Sequence, residues 1–297
     1  MVATPFRLLE VVDGVHAAIA LPGEGAQGNA AIVDLGDRTL CFDTLLTPGA
    51  GEALAAAAER LTGRRATLVV NSHWHADHVL GNQAFTGAEI IATPTTRELM
   101  LAHRIAEKLP PQVEGLEKLV AEETDRARKE GFAETLAEGR HLLSALPTLR
   151  RTFPTLLFNR HLALHGSRRR VDLLCLGGGH TRSDSFLHLP DDGVLIMGDL
   201  VMAGVMPLLS NGDAEEWRRI LGHAREFRAR HIVPGHGPAG GPDHLEWTDE
   251  YLAWLTEIVA ADPEEAARVP LAAPFSGWRS AHMHAANVTS LLRGPSA

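Results

Sequence analysis

The sequence predicts an α/β fold in a single domain of residues 1–297. Two observations predict it: residues 8–44 read as short apolar or alternating strands, and helical and strand-like segments alternate after them. A third concerns size, because 297 residues that are 45% hydrophobic can bury a large core. No low-complexity run or linker divides the chain, so we expect one domain.

The first half of the chain has a strand-then-helix order. Turn signals at Asp13-Gly14 and Gly36-Asp37 separate the early strands and predict an antiparallel meander. An alanine-rich helix follows Pro48 and is closed by Gly63, and a second helix comes before a strand that ends near Ile91. The strands predicted here are 8–12, 15–21, 30–35, 39–44 and 66–70.

Residues 94–154 have a different composition, with charged residues interleaved among leucines at helical spacing. We interpret this segment as a helical insertion. It is expected to form a lid or wall over the functional site, and a plain packing layer or a homodimer face is equally consistent with the pattern.

The remaining residues repeat the strand-then-helix order of the first half. Their two terminal helices close the chain. The predicted strands are 162–164, 171–176, 184–189, 194–197 and 231–233, and the predicted helices are 214–227, 245–261 and 282–292.

Charge and composition exclude several classes of partner. The formal net charge of −9 disfavours nucleic acid and anionic lipid. No apolar stretch reaches the ~18 residues of a membrane helix, and residues 1–10 lack the apolar core of an export signal, so a cytoplasmic location is expected. Cys41 and Cys175 lie in apolar runs and are predicted to be buried, although a disulfide between them stays open.

A histidine cluster directly follows the strand at 66–70. It places His73, His75, Asp77 and His78 within six positions. Imidazole nitrogens and carboxylate oxygens are ligands that zinc and similar divalent ions accept. The alternative is a packing cluster, in which three adjacent histidines would each need a hydrogen-bond partner. Trp74, between two of them, is predicted either to line the pocket or to pack beneath the loop.

Three further candidate ligands lie at the ends of later predicted strands. His180, Asp199 and His236 each stand beside glycine, which allows the backbone to turn sharply and to approach an ion closely. Loops at one edge of a sheet gather such side chains. The seven donors together predict two divalent ions, with zinc expected and iron or manganese as alternatives. The other histidines are predicted to lie outside the site; His282 and His284 could reach the mouth of the cleft, but a surface helix is the expectation for them.

The His-x-His-x-Asp-His signature and the later His, Asp and His, in that order, resemble the metallo-β-lactamase superfamily. The resemblance covers essentially the whole chain, except for the helical insertion. It implies an αββα sandwich of two mixed β-sheets flanked by helices. It further implies that His73, His75 and His180 hold one metal, that Asp77, His78 and His236 hold the other, and that Asp199 bridges both. Glyoxalase II-like members have such a bridging Asp.

Two adjacent cations would lower the pKa of a bridging water and supply hydroxide for attack on a carbonyl group. We therefore expect a hydrolase of a small-molecule ester, lactone, thioester or amide, with Asp77 accepting and passing on the proton. Asp43 and Asp184 are expected to orient the ligand imidazoles, or alternatively to cap turns. The alternatives are β-lactamase activity and an iron-dependent oxidoreductase similar to persulfide dioxygenases.

Overall fold

The computed structural model describes residues 4–294 and contains two mixed β-sheets. Residues 1–3, part of the segment used for the export-signal expectation, and residues 295–297 lie outside the described residues. The first sheet has seven strands in chain order, antiparallel from β1 to β4 and parallel from β4 to β7. Its strands are β1 (Phe6–Val12), β2 (Val15–Ala20), β3 (Ala30–Asp34), β4 (Thr39–Phe42), β5 (Leu68–Val70), β6 (Glu89–Ala92) and β7 (Leu156–Leu157).

The second sheet has five strands in the order β12-β11-β10-β9-β8, and only β11 and β12 pair in parallel. Its strands are β8 (His161–His165), β9 (Arg170–Cys175), β10 (Ser185–Leu189), β11 (Val194–Met202) and β12 (His231–His236). The predicted antiparallel meander is confirmed, because the alternating apolar runs in β1 to β4 pair as successive hairpins.

Helices cover the outer faces of both sheets. Leu54 and Ala58 of α1 (Pro48–Thr62) pack on the first sheet, and Trp217 and Leu252 of two later helices pack on the second. Between the sheets, buried side chains from both inner faces form a separate apolar layer. The αββα sandwich is therefore confirmed. The remaining helices are α2 (Ala76–Val79), α3 (Pro94–Ala102), α4 (Ile105–Glu122), α5 (Arg126–Ala145), α6 (Ala214–Glu226), α7 (Asp243–Ala261) and α8 (His284–Arg293).

The helical insertion consists of α3, α4 and α5, and it packs against the loop that carries the histidine cluster. Ile105 and Leu109 of α4 and Leu136 of α5 join Val79 and Leu80 in one apolar cluster. Farther along α5, the buried carboxylate of Glu138 accepts hydrogen bonds of 2.8 Å from the backbone N–H groups of residues 23 and 25. The insertion is thus anchored both to the histidine loop and to the loop between β2 and β3.

Three elements differ from the sequence-based expectations. The strand β7 was not predicted, because it has two residues and both leucines are exposed. The strand β11 continues to Met202 instead of ending at Met197, and β12 continues to His236 instead of ending at Val233. Their pairing is irregular around Gly198, so residues that read as a turn still belong to the ladder.

The two cysteines are buried and free, as the apolar sequence around each of them indicates. Within residues 4–294, none of the helices combines the length and the apolar character that crossing a bilayer requires.

Candidate metal centre

The fold brings all seven predicted ligands to one edge of the two sheets. The histidine cluster follows the carboxyl end of β5, and Asp77 and His78 lie on the short helix α2. His180 stands in the loop after β9, whereas Asp199 and His236 lie near the ends of β11 and β12. Carboxyl ends of adjacent strands meet at one edge, which explains why donors far apart in sequence converge.

The donor atoms form two groups, and within each group they lie within 4.8 Å of one another. In the first group, His180 Nε2 lies 2.9 Å from His75 Nδ1 and 3.2 Å from Asp199 Oδ2. His73 Nε2 completes this group at 3.7 Å from the same Asp199 oxygen. The group contains His73, His75, His180 and Asp199.

The second group contains Asp77, His78 and His236. Asp77 Oδ2 lies 3.3 Å from His236 Nε2 and 3.5 Å from His78 Nε2. Asp199 also faces this group, with Oδ1 3.1 Å from His78 Nε2 and Oδ2 3.4 Å from His236 Nε2. The Asp199 carboxylate therefore stands between the two groups, as a bridging ligand would.

Buried polar atoms without hydrogen bonds test whether these residues suit a metal. Among the described residues, His73 Nε2, His78 Nε2 and Asp199 Oδ1 are buried and make no hydrogen bond. An unsatisfied buried polar atom costs about 1–3 kcal/mol. All three atoms point into the donor cluster, where a divalent cation would satisfy them together. The residues fit a metal.

Burial and charge act in opposite directions on several donor pKa values. Burial lowers the pKa of His180 to about 3, because an imidazolium loses its hydration there. Burial acts the same way on His236, but the carboxylates of Asp199 and Asp77 outweigh it and raise its pKa to about 10. Burial favours a protonated Asp199, yet the facing imidazoles, His78 foremost, hold the pKa of that carboxyl well below its usual range. The metal-free site thus contains buried carboxylate–imidazolium pairs.

Metal binding is therefore expected to displace protons. The pKa of His236 is about 10 and that of His78 is raised well above its usual value, so both imidazoles carry a proton near neutral pH. A cation needs the neutral imidazole nitrogen, so its apparent affinity should fall as the pH falls. Calorimetric titration of metal-free protein with zinc, in two buffers of different ionisation enthalpy, should show release of about two protons per chain. Equal heats in the two buffers would contradict this prediction.

Asp43 forms a hydrogen bond with Nδ1 of His78, one of the predicted ligands. Its Oδ2 accepts hydrogen bonds from His78 Nδ1 at 2.8 Å and from the Ser72 hydroxyl at 2.7 Å, while Oδ1 accepts the Ser72 backbone N–H. The Ser72 hydroxyl also lies 2.9 Å from His73 Nδ1. With Nδ1 occupied, His78 presents Nε2 to the donor cluster. Asp43 thus orients the imidazole of His78, one of the predicted ligands.

Asp43→Asn should lower metal affinity by about 10–100-fold, because asparagine has one acceptor oxygen and cannot accept from both His78 and the Ser72 backbone N–H. The fold should persist, since Asp43 has φ 61° and asparagine tolerates this left-handed conformation. Zinc affinity measured against a competing chelator checks this change. Asp37→Asn, in the exposed turn at the other end of β4, is the control and should bind zinc normally. A tight-binding Asp43→Asn protein would show that this hydrogen bond is dispensable.

Asp184 lies in the expected region, but it forms no hydrogen bond or ion pair with an imidazole in the part of the chain that the structure describes. Its carboxylate accepts hydrogen bonds from the backbone N–H groups of Gly179 and Thr181, at 2.8 and 2.9 Å, and from the Thr181 hydroxyl at 2.7 Å. It therefore orients the loop on both sides of His180 rather than the ring itself, which corresponds to the alternative role in a turn. The imidazole of His180 is fixed instead by the Leu208 carbonyl, 2.9 Å from Nδ1.

The loop between β2 and β3 supports the other ligands. The Asn29 amide donates to the carbonyls of Pro234 and Gly237, at 2.9 and 2.8 Å, on both sides of His236. At Gly28, a Cβ would stand 2.9 Å from the His78 ring, so only glycine allows this close approach. No local sequence pattern indicates this support, because Asn29 and His236 are far apart in the chain.

A cavity of 380 Å³ opens above the donors. Its floor includes His75 and Asp77, and its walls come from α4, α5 and the segment that precedes α8. The helical insertion therefore forms a wall of the site.

The prediction that His282 lies outside the site is wrong. The centroid of its ring lies 4.5 Å from that of Phe132 of α5, and both side chains line the cavity. Trp74 does not line it and packs beneath the histidine loop, in the apolar cluster of the insertion.

Comparison with known proteins places this geometry in one family. The family model described as the metallo-beta-lactamase superfamily matches residues 23–236, more than half of the chain. A metallo-beta-lactamase type 2 from Bacteroides fragilis is 32% identical over 82 residues, which cover 26% of this chain and 33% of that protein. The match thus spans about a third of that relative's length.

Solved structures share the fold at low identity. A metallo-beta-lactamase from Pontibacter korlensis is 18% identical with a TM-score of 0.60, covering 84% of this chain and 99% of its own. One from Hirschia baltica is 17% identical with a TM-score of 0.59, covering 84% of this chain and 98% of its own. With the family match and the ligand signature, these likenesses lead to one conclusion: the chain belongs to the metallo-β-lactamase superfamily.

Proposed function

We propose that the protein is a dinuclear, metal-dependent hydrolase of a small-molecule carbonyl substrate: an ester, lactone, thioester or amide. The observation that carries the proposal is the pair of donor groups joined by Asp199 at the floor of an open cavity. A dinuclear metal-dependent hydrolase needs that arrangement, because the donors must hold ions while leaving a side open to substrate.

Zinc is the proposed metal, because five imidazoles and two carboxylates form a nitrogen-rich donor set that suits it. His73, His75 and His180 would hold one ion and Asp77, His78 and His236 the other, with Asp199 shared between them. When bound, such ions supply an activated water near neutral pH and polarise a carbonyl oxygen.

Asp77 is the proposed proton-transfer residue. Its side chain faces the cavity. Burial favours its protonated form, but the His78 and His236 imidazoles hold the pKa of the Asp77 carboxyl well below its usual range. The carboxylate is therefore ionised at neutral pH and can accept the proton of the attacking water. It can then return the proton to the leaving group as the carbonyl bond breaks.

β-Lactamase activity is a second candidate, favoured by the names of the relatives from Bacteroides fragilis and Pontibacter korlensis. A β-lactam amide is also a carbonyl substrate, so the same donors would serve. The two candidates differ in the charge of the substrate, because common β-lactams carry a carboxylate.

A panel of chromogenic ester, lactone, thioester, phosphodiester and β-lactam substrates tests the proposal. Hydrolysis of a carbonyl substrate, lost after metal removal with a chelator and restored by zinc, is the expected result. Asp77→Asn should retain much of the bound zinc and hydrolyse the same substrate more slowly. Hydrolysis of the phosphodiester alone, or activity that persists in metal-free protein, would contradict the proposal.

A further inference from the structure

The walls of the 380 Å³ cavity are largely apolar above the ligand floor. The insertion contributes one side and the strand-end loops and the C-terminal segment contribute the other. An acyl chain whose carbonyl group reached the floor would therefore lie against hydrocarbon, which favours burial of apolar surface. The apolar side chains include Leu116 and Phe132 from the insertion, and Val205, Met206, Leu208 and Met283 from the opposite wall.

The charged groups in these walls leave little attraction for an anion. Arg279 contributes the one Lys or Arg side chain among the described residues that line the cavity. Its guanidinium forms an ion pair with Glu134 of α5. Glu138 adds a second carboxyl, whose pKa burial raises to about 7. Above the ligand floor, an anionic group would meet the carboxyl groups of Glu134 and Glu138 and a cation that is already paired.

Two backbone hydrogen bonds fix the position of Arg279, which keeps its guanidinium beside Glu134. Its N–H donates to the Gly204 carbonyl at 3.0 Å, and its carbonyl accepts the Met206 N–H at 2.9 Å. Glu134 lies on α5 two residues after Phe132, whose ring packs against His282. Both partners of the ion pair are therefore held by packed elements on opposite sides of the cavity.

We infer that the cavity selects neutral acyl compounds with an apolar chain over carboxylate-bearing ones, and that Glu134 determines this selectivity by neutralising Arg279. The inference rests on the proposed hydrolase function and narrows its substrate class. Removing the Glu134 charge leaves an unpaired guanidinium in the cavity, which should attract an anionic substrate.

Two esters with the same leaving group test the selectivity. p-Nitrophenyl hexanoate and mono-p-nitrophenyl adipate have acyl chains of equal length, which end in a methyl group and a carboxylate respectively. On zinc-loaded protein, kcat/KM should favour the hexanoate by at least about tenfold. Glu134→Gln should narrow that ratio about fivefold by raising kcat/KM for the adipate. Glu130→Gln, one turn earlier on α5 and paired with Arg126 in solvent, is the control and should leave the ratio unchanged.

A binding measurement separates this inference from the proposed function. N-phenyl-1-naphthylamine is neutral, and 8-anilinonaphthalene-1-sulfonate has the same rings with an added sulfonate. Wild-type protein should bind the neutral probe more tightly, and Glu134→Gln should gain affinity for the sulfonate. That pattern without ester hydrolysis would support the selectivity and reject the hydrolase. A wild-type preference for the sulfonate or the adipate, or no effect of Glu134→Gln on either ratio, would overturn the inference.

Discussion

Asp199→Ala is expected to lower kcat/KM by at least about 10³-fold, because metal-assisted charge stabilisation is worth several kcal/mol. Within residues 4–294, Asp199 is the one carboxylate that faces both donor groups, with contacts of 3.1 to 3.4 Å to His78, His180 and His236. Without it, each of the two proposed ions would lose a charged ligand, and the buried imidazoles would lose the carboxylate that balances their charge. Bound metal should fall below two ions per chain.

Steady-state kinetics and elemental mass spectrometry on the same preparation check this prediction. Asp191→Ala serves as the control, because Asp191 is exposed in the turn that precedes β11, at the opposite end of the strand from Asp199. The control should retain full activity and metal content. An Asp199→Ala enzyme with nearly normal turnover would mean that the two donor groups act without a shared carboxylate.

Gly235→Ala is expected to have the second largest effect, through sterics alone. A Cβ at this position would stand 2.0 Å from Asp199 Oδ1 and 2.7 Å from the Asp199 backbone nitrogen. Neither neighbour can yield easily, because Asp199 is buried between the donor groups and its nitrogen is part of β11. The overpacking should lower the free energy of unfolding by about 1–3 kcal/mol and displace the bridging carboxylate.

Gly241→Ala provides a matched control, since a Cβ there has open space and the backbone does not require glycine. Thermal unfolding and zinc content should separate the two variants. Gly235→Ala should lose both stability and metal, whereas Gly241→Ala should behave as wild type. Normal zinc binding by Gly235→Ala would show that the Asp199 carboxylate tolerates displacement.

Much of the sandwich could be predicted from local sequence. Alternating apolar residues and the glycine turns indicated the meander from β1 to β4, because the apolar residues of a strand mark the face that is buried. The same logic did not reveal β7, whose two leucines pair with β6 in an exposed position that no local pattern marks. The continuation of β11 past Gly198 was also missed, because Gly-Asp reads as a turn whether or not the strand continues.

The ligands could be predicted because each His or Asp follows a strand that its own local sequence indicates. The residues of the cavity walls could not be predicted in this way. Glu134 meets Arg279, and Glu138 meets the loop at residues 23 and 25, across more than a hundred residues of sequence. His282 was assigned to a surface helix for the same reason: its place depends on how α5 packs against the C-terminal segment. Contacts between residues so far apart in the chain leave no periodic pattern in the amino-acid sequence.

The chain is proposed to hold two metal ions through seven side chains, of which Asp199 alone is shared between the ions. Elemental mass spectrometry of protein purified without added ions, and of the same protein reconstituted with zinc, tests it most directly. We predict about two metal ions per chain for the wild type and fewer for Asp199→Ala. Protein that binds no metal even after reconstitution, or that binds it equally well without Asp199, would contradict the account.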